Sequence, residues 1–104
     1  MMTSPAQWYA VPMETLPEEL IEIELKTVPS WTRDGGSLTT VIERADFRDA
    51  IFFVGAVAYL AEKANHHPNI AISWNKVTLT LSTHSAGGLT ADDFALARRI
   101  LLLE

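Results

Sequence analysis

The chain has no cysteine among its 104 residues. That excludes disulfides, thiolate nucleophiles and every cysteine-based zinc or iron–sulfur site. It also fits a reducing compartment. Positive charge is scarce: eight lysines and arginines stand against thirteen acids, for a formal net charge of −5. The basic residues are scattered, and Arg98-Arg99 is the only adjacent pair. A nucleic-acid surface needs clustered cations to displace phosphate counterions, so no nucleic-acid partner is expected. Long apolar runs are missing too. The longest, Ala50 to Ala61, has twelve residues, whereas a membrane-spanning helix needs about 20. Met1 to Met13 holds two prolines and no apolar run behind a positive start, unlike a secretion signal. A cytoplasmic protein with no membrane partner is the expectation.

Motif absences narrow the chemistry further. The sequence has no Gly-x-Ser-x-Gly elbow for a serine nucleophile. Gly87-Gly88 lacks the lysine and spacing of a phosphate-binding loop. No internal repeat or low-complexity segment is evident. What is present is a real core: apolar residues make up 48% of the chain. The length suits one domain. Small domains bury a smaller share of their surface than large ones, so a homo-oligomer is expected.

Local patterns divide the chain into an N-terminal arm, residues 1–15, and one domain, residues 16–104. Pro17-Glu-Glu-Leu20 opens a short helix, since proline and acids suit a first helical turn. Pro29 limits that helix near Lys26 or Thr27. Trp31 to Arg33 and Ser37 to Arg44 read as strands joined by an Asp34-Gly35-Gly36 turn. Leu38, Thr40 and Ile42 share one face of the second. Asp46-Phe-Arg-Asp49 is an acidic form of the capping box. It starts a helix running to about Asn65, with Phe47, Ile51, Val54, Ala58 and Ala61 recurring at three and four. Further apolar residues widen that surface, so the helix should pack on two partners, one of them another subunit.

His67-Pro68 is expected to end this helix. Ile70 to Trp74 then alternates, with Trp74 on the apolar, core-facing side. Asn75-Lys76 is the expected hairpin turn. Val77, Leu79, Leu81 and Thr83 share the buried face of the next strand, which places His84 at its end on the polar face. Thr90-Ala-Asp-Asp93 caps a last helix from Ala91 to about Leu103. Two hairpins separated by a helix indicate an α+β domain of order α-β-β-α-β-β-α. Its four-stranded, mainly antiparallel sheet should carry three helices on one face.

His66, His67 and His84 are the only histidines, and they fall within nineteen residues. An imidazole, with an unperturbed pKa of about 6.5, exchanges protons near neutral pH. Each could be structural: His66 on helix C-terminal carbonyls, His67 in a loop, His84 beside threonines. A metal site is disfavoured. Adjacent histidines chelate one ion awkwardly, and no helical His-x-x-x-His pair or cysteine supports them. Glu62, four residues before His66 on the same helix face, is placed to orient it. General acid–base work on a small molecule is the remaining chemistry.

The run Glu62-x-x-x-His66-His67-Pro68, then Trp74, His84 and Asp93, resembles the signature of the pterin-4a-carbinolamine dehydratases. Asn75-Lys-Val-Thr-Leu-Thr-Leu-Ser-Thr-His84 and Ala86-Gly-Gly-Leu-Thr-x-x-Asp93-Phe are similar to that family as well, and the likeness spans about residues 16–102. The resemblance implies dehydration of 4a-hydroxytetrahydropterin to quinonoid dihydropterin in pterin recycling. It implies no metal or other cofactor, and a homodimer or homotetramer. By the same likeness His66, His67 and His84 are catalytic. His66 and His84 would reach the hydroxyl as acids, and His67 would hold the substrate. Pro68, Thr83, Ser85 and Ala86 would contact the pterin, Glu62 would support the histidines, and Asp93 would be either a site residue or only a cap. The sequence departs from the family's pattern at Asn69-Ile70 and Ser85, where acids are common. Some proteins of this fold are protein-interaction modules, a transcription cofactor or Rubisco assembly factors, and a protein partner is the competing expectation.

Overall fold

The computed structural model describes residues 14–104. The arm expected over residues 1–15 thus lies almost wholly outside the described residues. Seven elements follow in the expected order: α1 (Glu18–Leu25), β1 (Thr32–Asp34), β2 (Ser37–Glu43), α2 (Phe47–Ala64), β3 (Asn69–Ser73), β4 (Lys76–Leu81) and α3 (Ala91–Leu101). The strands form one antiparallel sheet in the order β1-β2-β4-β3. The two hairpins therefore pair through β2 and β4, leaving β1 and β3 as edges.

Alternation decides which face of the sheet is covered. Leu38, Thr40 and Ile42 of β2 and Val77, Leu79 and Leu81 of β4 are buried. The register sets Leu38 opposite Leu81, Thr40 opposite Leu79 and Ile42 opposite Val77. Residues paired across an antiparallel ladder share a face, so these six make one buried floor, apolar but for Thr40, whose hydroxyl donates to Ser30 O. Phe53 and Val57 of α2 and Phe94, Ala97 and Ile100 of α3 belong to the same buried cluster, with Ile21, Val28, Trp31 and Leu89. On the other face Val41 stays exposed.

α2 sits a quarter turn away from the stripe the sequence suggests. Its buried residues are Ala50, Phe53, Val57 and Ala61. Of the expected set Phe47, Ile51, Val54, Ala58 and Ala61, only Ala61 is buried, and Phe47, Ile51 and Ala58 are exposed. The helix carries apolar residues on so many sides that periodicity alone cannot fix its phase. The cap residues fix its ends. Asp46 accepts the Asp49 N–H at 2.8 Å. Asp49 does not complete the expected box. It accepts from the Ala45 N–H at 3.0 Å and binds the Arg44 guanidinium instead.

The far end of α2 falls at about Asn65, as expected, and the way it is capped matters for the site. Asn65 adopts a left-handed conformation, φ 51°. The Asn65 N–H bonds to Glu62 O, and the His66 N–H bonds back to Ala61 O at 3.1 Å. This 5→2 and 6→1 pair is a Schellman motif, which Asn tolerates nearly as well as Gly. The left-handed cap, rather than the proline three residues later, thus ends the helix.

The second hairpin also turns one residue early. Ser73 pairs with Lys76, so the loop is Trp74-Asn75 rather than Asn75-Lys76. Trp74 is 68% exposed with φ 56°, not a core residue. Asn75 is the buried member, donating from Nδ2 to Arg44 O at 2.9 Å. Similarly, Trp31 precedes β1 rather than lying in it, and α3 ends at Leu101. No helix among the described residues is long and apolar enough to cross a membrane.

Candidate functional site

The last turn of α2, the first turn of α3 and the loop after β4 converge on one buried carboxylate. Asp93 is fully buried, and one of its oxygens, Oδ1, lies 2.6 Å from His66 Nε2. The other, Oδ2, accepts the Thr83 hydroxyl at 2.8 Å and the Thr90 N–H at 2.9 Å. Oδ2 performs the cap role that the sequence left open for Asp93, and Oδ1 pairs with His66. A buried carboxylate is costly unless its lone pairs are occupied, and here three donors occupy them.

The loop after β4 is built around Thr83. β4 proper ends at Leu81, and an isolated bridge then joins Thr83 to Gly88. The Thr83 carbonyl accepts from Ala86 and Gly87, each at 3.0 Å. Gly87 has φ 79°, which its lack of a Cβ permits. The result is a tight turn, Thr83 to Gly88, that presents His84 and Ser85 to solvent, with Ala86 half-buried. His84 therefore lies past the strand, in the turn. Its neighbour Thr83 is tied to Asp93, so the turn and His66 share a common anchor.

His67 has a separate partner. Its Nε2 lies 2.7 Å from Glu62 Oε2, and both side chains are largely exposed. The expected Glu62–His66 contact is thus replaced by Glu62–His67. The left-handed Asn65 ends helical periodicity, so His66 turns inward to Asp93 and His67 comes back over Glu62. Pro68, half-buried, leads from the pair directly into β3.

His66 and His84 open on two separate cavities. One, of about 300 Å³, lies between the end of α2 and one face of α3, and is lined by His66 with Lys63, Asp92 and Arg99. The other, of about 250 Å³, is lined by Thr83 and His84 with Ser82, Ser37 and the glycines of both turns. Gly36 and Gly88 approach so closely there that a Cβ on Gly36 would meet the Gly88 Cα at 3.4 Å. Asp93 is the bridge between His66 in one cavity and Thr83 in the other. Sequence reasoning named Asp93 but not the Thr90 hydroxyl, which lies 2.9 Å from Thr83 Oγ1. It also did not name Lys63 and Arg99. A cap signature explains Thr90 without further role, and single cations in an acidic chain carry no motif.

Comparison with known proteins identifies a family for the chain. The family model for pterin 4 alpha carbinolamine dehydratase matches residues 14–102. A Nocardia farcinica protein named for pterin-4-alpha-carbinolamine dehydratase is 49% identical over 87 residues, covering 84% of this chain and 92% of that one. A Roseiflexus castenholzii protein of the same name is 52% identical over 80 residues, 77% of this chain and 86% of its own. Among solved structures, the transcriptional coactivator/pterin dehydratase from Brucella melitensis superposes with a TM-score of 0.83 at 30% identity, over 86% of this chain and 98% of that one. A pterin dehydratase-like RuBisCO assembly factor of the alpha-carboxysome shares the fold, at a TM-score of 0.58 and 24% identity over 70% of this chain and 84% of that one. The fold and these relatives define an α+β protein of pterin-dehydratase type. The chain belongs to the pterin 4 alpha carbinolamine dehydratase family.

Proposed function

We propose that this chain is a hydro-lyase that dehydrates a 4a-hydroxytetrahydropterin to the quinonoid dihydropterin during pterin recycling in the cytoplasm. Two proton movements complete the reaction. The C4a hydroxyl leaves as water once protonated, and the N5 proton departs as the C4a=N5 bond forms. No electron is gained or lost, so the step calls for no redox partner. Hydroxide is a poor leaving group, and an imidazolium is a suitable acid near neutral pH.

The observation that carries the reading is the buried His66–Asp93 pair, tied through Thr83 to the turn bearing His84. A carboxylate at one ring nitrogen fixes the orientation of an imidazole and stabilises its charged form, leaving the other nitrogen for substrate. In this proposal His66 and His84 act on the hydroxyl and His67, held by Glu62, assists at the substrate. Pro68, Thr83, Ser85 and Ala86 supply the pterin's polar contacts. General acid–base catalysis contributes about 10²–10⁴-fold. His66→Ala and His84→Ala are each expected to lose activity in that range in stopped-flow absorbance while keeping the wild-type circular dichroism. Full activity in both folded variants would sink the assignment.

A second reading rests on the apolar surface that α2 leaves uncovered. Phe52 and Tyr59 are exposed together on the side away from the sheet, and Phe47 and Ile51 are exposed on its flank. The Brucella relative is named both coactivator and dehydratase. An interaction module, alone or alongside catalysis, would use such a surface. Partner binding undiminished in the histidine variants would favour it. The same face supports a homodimer or homotetramer.

A further inference from the structure

Beside His66 the charge of this acidic chain changes sign. We propose that Lys63 and Arg99 form a subsite for an anionic group, phosphate or carboxylate, carried on the C6 substituent of the pterin, and so select among pterin substrates by charge. This deepens the dehydratase reading and rests on it for the identity of the ring.

The cavity between the end of α2 and α3 has two cations in its lining, Lys63 and Arg99, against one acid, Asp92. The chain as a whole carries a formal charge of −5. Other arginines are matched to acids: Arg33 pairs with Glu18, Arg44 with Asp49 and Arg98 with Glu24. Among the described residues neither Lys63 nor Arg99 forms an ion pair. The Lys63 ammonium lies 5.6 Å from the centre of the Tyr59 ring, a contact that neutralises no charge. Asp92 and Arg99 share a face of α3, but seven residues separate them by about 10 Å along the axis, so the acid does little to offset the arginine. Each cation stands in the last turn of its helix, where positive charge is favoured. That accounts for each alone. It does not account for both lining the cavity that His66 lines, with Ala64 and Leu96 as its apolar wall.

The covalent structure of the substrate decides which part of it would lie there. The hydroxyl leaves from C4a, C4a is bonded to N5, and N5 is bonded to C6. A C6 substituent therefore starts two bonds from the carbon on which His66 is proposed to act. Cations in the same cavity as His66 are placed for a short charged group at C6. The other ring neighbour of C4a bears a neutral carbonyl, for which one donor suffices, and the far edge of the pyrimidine ring presents N–H donors that a cation does not serve. Arginine meets a phosphate or carboxylate with two parallel N–H donors, and lysine adds a point charge.

Fluorescence titration with stable aromatic pterins tests the subsite without turnover. 6-Hydroxymethylpterin is the neutral probe, and its phosphate monoester and pterin-6-carboxylate are the anionic ones. At low salt at least one anionic probe is expected to bind about 10-fold more tightly than the neutral one. The preference is expected to fade towards 1 M salt, where the screening length falls to about 3 Å. Tighter binding of the phosphate or of the carboxylate identifies which anion the site takes. Both side chains are exposed, and Arg99→Glu and Lys63→Gln are expected to keep the wild-type circular dichroism. Arg99→Glu is expected to abolish or invert the preference, and Lys63→Gln to weaken it. Equal binding of all three probes by the wild type overturns the inference. So does a preference that survives in the folded double variant. A charge preference in a protein that leaves 4a-hydroxytetrahydropterin to decay at its spontaneous rate would leave the subsite standing and defeat the dehydratase reading. Dehydration with no charge preference would do the reverse.

Discussion

Trp74 and Trp31 show how differently one residue type can be used in a small chain. Trp31 is 3% exposed, within the core. Trp74 stands in solvent at the tip of a hairpin, in a left-handed conformation that bulky residues rarely adopt. Opposite mutational outcomes follow. Trp31→Ala is expected to cost about 3–5 kcal/mol. Trp74→Gly removes the steric cost of the positive φ, about 1–2 kcal/mol, and is expected to leave the thermal midpoint unchanged or raised. Thermal denaturation of both variants checks this, and a large loss at Trp74→Gly would show that the residue is packed. The sequence could not distinguish the two tryptophans, because Trp74 continues the Ile70–Ile72 alternation by one step. Only the pairing of Ser73 with Lys76 places it in the turn. The histidine cluster was legible from its spacing and its proline. Its wiring was not, because Glu62 and His66 share a helix face only as long as the helix continues. The left-handed Asn65 ends the helix and hands Glu62 to His67.

At the scale of the element, α2 combines a well-specified start with an ambiguous face. The Asp46 cap was legible at its N-terminus, because caps are short-range chemistry, whereas Asp49 turns to Ala45 and Arg44 instead of the cap. The phase of the helix was not legible, because Phe47, Ile51, Phe52 and Phe53 give several equally apolar stripes. Loss of the Asp46 cap is expected to cost about 1 kcal/mol in Asp46→Ala. Asp49 carries a pH dependence. The Ala45 N–H and the Arg44 guanidinium hold its carboxyl below the usual carboxylate range. A carboxyl that is more acidic when folded stabilises the fold above its unfolded value, about 3.9, and loses that contribution as pH falls through the lower folded value. Asp49→Asn is therefore expected to be less stable than wild type at pH 7, with the difference shrinking as pH falls below about 4. Urea denaturation at several pH values measures it, and a pH-independent difference would exclude the linkage.

For the whole molecule, the topology was legible because two turn signals and two cap signals partition the chain cleanly. The core positions of β2 and β4 came directly from alternation. The expected homodimer or homotetramer would cover the exposed apolar face of α2. If a second copy does, Phe52→Glu is expected to lower the mass in sedimentation without changing the circular dichroism. An unchanged mass would direct attention to a different partner for that face.

The proposed dehydratase activity depends on the histidine site. The most direct measurement is the decay of synthetic 4a-hydroxytetrahydropterin, followed by ultraviolet absorbance, with wild-type protein and with His84→Ala. Acceleration over the spontaneous reaction, about 10²-fold or more weaker in the variant, is the predicted result. A folded wild-type protein that leaves the spontaneous rate unchanged would contradict it.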